Sequence, residues 1–273
     1  MALKKIGAAT AAAALALSLS ACAGGSGGTD LSNLKIGIKF DQPGLGLKTG
    51  ETYSGFDIDV ATYIAGKLGT TPDKIQWTQA PSAQRETLIE SGQVDLVVAT
   101  YSINDQRKEK VSFAGPYLIA GQDLLIRAND TSITGVDSLK GKKLCSVTGS
   151  TSAQQIEQKV PGVNLQNFSG YSDCVAALAA GTIDALTTDD TILAGYAAQP
   201  EYKGKLKVVG KPFTKENYGV GLKKGNTELC TKVTDAIKSM IDDGSWQKFL
   251  DKNLGPAGYK PGPGNPPTPA ACS

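Results

Sequence analysis

The sequence predicts an α/β protein of two lobes, each a mostly parallel sheet flanked by helices, joined by two hinge strands. Three observations predict it. Short apolar runs of strand length alternate with amphipathic stretches of helical period, the order of βαβ units. That order occurs in the first half of the chain and again in the second. Finally, LIESGQVDLVVAT (88–100) is echoed by ALAAGTIDALTTD (177–189): each is a helix end, a Gly-x-Val/Ile-Asp turn and a strand.

Taken in order, the chain starts with Lys4 and Lys5, an almost uncharged Ala/Leu run over 6–19, and the tetrapeptide Leu19-Ser20-Ala21-Cys22. This is a secretory signal of the lipoprotein kind: too short for a comfortable span, with a cleavage site where a span would continue. Its resemblance to bacterial lipoprotein signals implies removal of residues 1–21 and acylation of Cys22, which would hold the body at the outer face of the cell membrane. Residues 22–33, opening on AGGSGGT (23–29), read as a flexible tether.

The body then reads as strand 35–40, helix 58–68, strand 75–78, helix 83–91 and buried strand 94–100. An extended stretch, 122–127, leads to the second half. There the order is strand 142–147, helix 151–159, strand 163–168, helix 172–180, strand 183–188, helix 191–198 and strand 205–209. A second extended stretch, 218–222, leads back, and helices 228–243 and 245–253 finish the body. The division predicted is a first lobe of 34–124 and 213–255, a second lobe of 125–212, and a Pro-rich tail, 256–273, extended like a strap. In the echo, Thr100 and Asp189 fall at equivalent strand carboxyl ends, where open α/β sheets bind ligands. Facing lobes would bring both to one cleft.

Composition excludes several functions. Net charge is +2 with no concentrated basic run, which argues against nucleic acid. Histidine is absent, so it cannot serve as general base, zinc ligand or neutral-pH switch. With Cys22 lipidated, Cys145, Cys174, Cys230 and Cys272 form an even set in an exported protein. Disulfides are the reading, with three connectivities open, and the spacings match no metal motif. No metal or cofactor is expected.

Two motifs carry a family resemblance. GFDIDVATYIAGKL (55–68) fits the signature of the polar amino-acid class of bacterial extracellular solute-binding proteins, family 3, and SINDQRKEKVSFAGPYL (102–118) resembles its downstream segment. The likeness spans about 34–255. KFDQPGLGL (39–47) and the Cys-ending tail resemble the glutamate and glutamine importers' lipoproteins of Gram-positive actinobacteria. The resemblance implies a periplasmic-binding-protein-like fold and a monomeric receptor that closes on an amino acid and passes it to an ABC permease with its ATPase subunits. Asp57 and Asp59, inside the signature, read as carboxylates complementing a helix start.

The resemblance also implies a site. Arg107 holds the ligand's α-carboxylate with its planar, always-charged fork, together with the amide and side chain of Ser102. Thr100 accepts from the ligand ammonium, and Asp189 pairs with it. Thr151, opening a helix after GSTS (149–152), gives a second-lobe amide to the carboxylate, while Ser150 suits an N-cap. Asp190 reads as a helix cap. Glutamine-binding members carry Lys where this chain has Val147. In the first lobe Lys39, Arg85 and Ser82 match the distal-carboxylate site of acidic-amino-acid receptors. The expected ligand is therefore glutamate, or aspartate, with a glutamine or asparagine receptor as the alternative. An enzyme resembling cyclohexadienyl dehydratase shares the fold but needs a spare acid/base in the cleft. A sensor module would normally continue into a membrane span. The lobes pair the cysteines as Cys145–Cys174 and Cys230–Cys272, since other pairings cross the hinge. Without histidine, binding is expected to be flat from pH 6 to 8.

Overall fold

The computed structural model describes Met1, Ala2 and residues 29–273. Residues 3–28, which hold most of the expected signal peptide, Cys22 and most of the expected tether, lie outside the described residues.

The first lobe begins with β1 (Lys35–Ile38), whose Ile36 and Ile38 are fully buried. Three short strands follow, β2 (Asp41–Gln42), β3 (Gly46–Thr49) and β4 (Thr52–Ser54), forming a small antiparallel sheet of their own. Sequence pattern had left this segment unassigned, because strands of two to four residues broken by Gly and Pro show no period. Next come α1 (Phe56–Leu68), β5 (Gln76–Gln79), α2 (Arg85–Glu90), β6 (Leu96–Val97), α3 (Asp105–Lys108) and β7 (Val111–Ala120). Strand β6 is shorter than the expected 94–100, and β7 was not expected as a strand. Its central Gly-Pro argues against a strand in mid-sheet, but β7 lies at the sheet's margin, where proline is tolerated.

The second lobe comprises β8 (Gln122–Arg127), β9 (Lys143–Val147), α4 (Thr151–Lys159), β10 (Asn164–Phe168), α5 (Tyr171–Ala179), β11 (Ala185–Asp189), α6 (Asp190–Ala197) and β12 (Leu206–Val208). The chain returns through β13 (Glu216–Lys223) to α7 (Thr227–Asp242) and α8 (Ser245–Asn253).

The two large sheets have orders β5-β1-β6-β13-β7 and β10-β9-β11-β8-β12. The βαβ part of each is parallel, as expected. The remaining pairings are antiparallel, so each sheet is mixed rather than mostly parallel. The antiparallel strands are those beside the crossings. Strand β8 lies wholly in the second sheet, so the chain crosses at Gly121, ahead of the expected boundary at Leu124. It returns between Pro212 and Glu216. The crossings are tied together: Gln122 N donates to Thr214 Oγ1 at 2.9 Å, and Phe213 N to Gln122 O at 2.9 Å.

Apolar side chains fill both faces of each sheet. Ile36, Ile38, Phe56, Ile64 and Trp246 pack under α1, α7 and α8, while Leu88, Ile89, Val97, Tyr101 and Phe113 form a second cluster beneath α2. Leu124, Ile126, Leu144 and Ile156 do the same under α4. Cys145–Cys174 and Cys230–Cys272 are both bridged, with Cα separations of 5.8 and 5.9 Å. Closing those loops stabilises by roughly 3–4 kcal/mol each on the chain-entropy account. The tail is extended along β7: Phe113 and Ser273 exchange backbone hydrogen bonds, Ala270 N donates to Gly115 O, and Asn265 bonds both the N–H and C=O of Ile119. No helix among the described residues is long and apolar enough to cross a membrane.

Candidate functional site

The lobes meet along the carboxyl ends of β1, β6, β9 and β11. A small cavity there, of about 10 Å³, is lined by Ser82, Arg85 and Thr100 from the first lobe and by Ser150, Thr151, Ser152, Tyr171, Asp189 and Ile192 from the second. Thr100 and Asp189, equivalent in the sequence echo, thus line one cavity from opposite sides.

Thr100 has φ 45°, unusual for a β-branched residue and the only non-glycine residue with positive φ among those described. Several bonds hold it there. Its N–H donates to Asp57 Oδ2 at 2.8 Å, its carbonyl accepts from Arg85 at 3.3 Å, and its hydroxyl lies 3.2 Å from Gln42 Oε1. Asp57 is fully buried and also accepts from Tyr117 OH at 2.8 Å. Burial pushes its carboxyl up to about 6, against the opposing pull of those two hydrogen bonds. Asp57 is therefore no helix cap. Helix α1 starts after Gly55 with no side-chain cap, and Asp59 instead binds Lys252 and Asn253.

Cations gather on the first-lobe side. Lys39 Nζ donates to Ser82 Oγ at 2.8 Å, and Arg85 Nε donates to Ser82 O at 3.4 Å. Burial, then the charge of Arg85, holds the Lys39 ammonium well below the ordinary lysine range. Arg107 donates to Ser102 O at 2.7 Å and across the cleft to Gly149 O at 3.2 Å, and its Nε faces Glu86 at 3.3 Å. Burial and then Arg85 bring its guanidinium down to about 10. Both guanidinium groups stand over the Tyr101 ring, at 4.3 and 4.9 Å from its centroid, in cation–π contact. Gly221 leaves room for that ring, since a Cβ there would sit 2.6 Å from Tyr101 Cε1.

Two buried carboxylates, one from each lobe, stand nearby. Asp189 accepts from Tyr218 OH at 2.6 Å and lies 3.5 Å from Ser152 Oγ. Burial, then the charge of Glu216, pushes Asp189 well above the usual carboxylate range. Glu216, buried on β13, accepts from Thr151 Oγ1 at 3.1 Å and from Gln155 at 2.7 Å. Ser150 is the N-cap of α4, accepting from Ala153 N at 3.0 Å. Asp189 holds the N-cap position of α6, and Asp190 is not its cap but its first residue. It accepts from Thr191 N at 2.8 Å but also from the crossing residue Gly121 at 3.3 Å, and burial raises it to about 6.

The structure thus brings all eight residues singled out from the sequence to one place: Lys39, Ser82, Arg85, Thr100, Ser102, Arg107, Thr151 and Asp189. Glu86, Glu216, Tyr101 and Tyr218 were missed, because their partners are distant in sequence and no local motif marks them, while Asp57 was given a helix-start role in place of its bond to Thr100. Across the cavity the first lobe presents the cation Arg85 and the second the carboxylate Asp189, the charge pattern of a zwitterion turned inside out.

The chain matches the bacterial extracellular solute-binding proteins, family 3, over residues 34–256. It is similar to the glutamate-binding protein GluB of Corynebacterium efficiens, with 46% identity over 92% of this chain and 91% of that one. The ABC transporter glutamine-binding protein GlnH of Bacillus subtilis is 37% identical over 82% and 81%. Among solved structures, an ancestral arginine-binding protein bound to glutamine superposes with a TM-score of 0.76 and 34% identity, covering 82% of this chain and 98% of that one.

Proposed function

The chain belongs to the bacterial extracellular solute-binding proteins, family 3, and from that premise we propose that its amino-acid ligand is L-glutamate. As a member of this family it is an amino-acid receptor of an ABC importer rather than an enzyme. One observation carries the choice of ligand: Lys39 and Arg85, both buried, converge on Ser82 beside the cavity. Two desolvated cations at one end of an amino-acid site favour a second carboxylate over a neutral amide. The α-carboxylate meets Arg107, Ser102 and the amino end of α4 at Thr151. The ammonium lies between Thr100 and Asp189. Likeness to GluB supports the same ligand.

Glutamine is the second reading, favoured by the likeness to GlnH and by the bonds Arg85 already makes to Ala99 O and Thr100 O. The proposal extends to anchoring: Cys22 carries the lipid, 22–33 is the tether, and the body over 34–255 delivers glutamate to a permease and its ATPase subunits. Calorimetric titration with glutamate, aspartate, glutamine and asparagine tests the ligand. Glutamate should bind most tightly, and tighter binding of glutamine would overturn the assignment. Mass spectrometry of the membrane-extracted protein tests the acyl group on Cys22.

A further inference from the structure

We propose that the segment Asp41–Pro43 of the first lobe is a closure latch, whose Asp41 caps a second-lobe helix and thereby sets how long the closed receptor holds its ligand. Helix α5 starts after Gly170, a residue with no side chain to cap it. The missing cap comes from the other lobe. Asp41 Oδ2 accepts from Tyr171 N at 3.0 Å, from Ser172 N at 3.4 Å and from Ser172 Oγ at 3.5 Å. A carboxylate there satisfies amides that a helix start leaves unpaired and complements its dipole. The backbone of the same segment makes a second contact: Tyr196 OH donates to Asp41 O.

Two glycines mark the sockets. A Cβ on Gly170 would lie 2.8 Å from Asp41 Oδ2, and one on Gly195 would lie 2.0 Å from the Pro43 carbonyl oxygen. Neither needs glycine for its backbone. Gly170 has φ −138°, and Gly195 lies inside α6, where glycine weakens a helix relative to alanine. The approach of the opposite lobe is what requires them. Neither Asp41 nor either glycine lines the amino-acid cavity. Asp41 and Gly170 border a groove of about 540 Å³ between the lobes, which Lys39 also lines.

Contacts made only when the lobes are together favour the closed state whatever the ligand, and a ligand that binds the closed state gains by that amount. The latch therefore controls dissociation without touching the amino acid. It rests on the receptor reading, but not on which amino acid is bound.

The test uses the mature chain, labelled with one dye on each lobe and titrated with L-glutamate and L-glutamine. Gly195→Ala should leave the melting temperature of the ligand-free protein unchanged or higher, yet weaken binding at least tenfold and lower the closed fraction. Asp41→Ala should weaken binding three- to tenfold through faster dissociation, with association unchanged. Asp41→Asn, which can still cap a helix, should recover most of the loss. Parent-like affinity and closed fraction in Gly195→Ala would overturn the latch. Should that variant not fold, a parent-like dissociation rate in Asp41→Ala does so. If the parent binds neither amino acid, the ligand reading fails instead. The latch is then judged by the closed fraction of the ligand-free variants, and equality with the parent refutes it.

Discussion

Tyr218, on a strand of the first lobe, donates a 2.6 Å hydrogen bond to Asp189, which ends a strand of the second. The same hydroxyl lies 3.0 Å from Thr191 Oγ1 at the start of α6. The carboxylate proposed to meet the ligand's ammonium is thus held by the lobe opposite its own, within a tight set of buried polar groups.

Binding should release a proton. Burial and Glu216 raise Asp189 well above the usual carboxylate range, and a ligand ammonium beside it would lower it again. A carboxylate that must be ionised to bind loses affinity as pH falls through its free-state value. Glutamate affinity should therefore begin to weaken with falling pH above the range where an ordinary aspartate, near 3.9, protonates. This replaces the flat profile expected from the absence of histidine. Calorimetry in buffers of different ionisation heat should show proton release, and zero or opposite proton transfer refutes the linkage.

Arg107→Ala should nearly abolish binding, because it leaves the ligand's carboxylate unpaired in a closed cleft, at a cost of about 2–5 kcal/mol. Arg107→Lys should not restore it, since an ammonium cannot reproduce the planar fork that also reaches Ser102 O and Gly149 O. An affinity within threefold of the parent for either variant would remove Arg107 from the site.

Lys39→Met and Arg85→Met should each move preference from glutamate towards glutamine, because a neutral amide leaves fewer cations unpaired once one is gone. The ratio of the two dissociation constants is the readout. An equal loss for both ligands would make these residues supports of Ser82 and Thr100 rather than selectors.

Asp57→Asn should change the pH dependence of stability. Its folded-state carboxyl lies at about 6 against an ordinary 3.8, so the folded protein favours the protonated form. That contribution is fully present below about pH 4 and is lost as pH rises through about 6, amounting to about 2–3 kcal/mol. Urea unfolding of variant and parent should show the variant gaining by about that amount from pH 4 to pH 7. A constant difference would mean Asp57 is ionised throughout.

Local pattern is what a sequence displays, and local pattern carried most of the fold. The apolar period of 58–68 and the runs around Val97 and Leu186 needed no tertiary information. Arg107 and Asp189 were legible because motif and echo fix their places. The residues that hold them were not. Asp57 meets Thr100 43 positions away, and Glu216 meets Thr151 across 65. The signature's Asp57 misled for the same reason: it stands where a helix cap would, and only the approach of β6 and β7 gives it other partners. Strand β7 was hidden by its Gly-Pro, acceptable only because the strand is marginal in the sheet.

The strap along β7 also fixes an order of events. A long marginal strand with open hydrogen-bonding groups invites pairing with another chain. Here residues 265–273 cover part of it, locked by Cys230–Cys272. Every strand of the second sheet is complete by Val208, whereas the first waits for β13 and then for the strap. A chain that emerges amino end first can therefore finish its inner lobe while the outer one is still unsealed. The lobe that carries Arg107 and Lys39 becomes safe from its neighbours only when the last cysteine arrives.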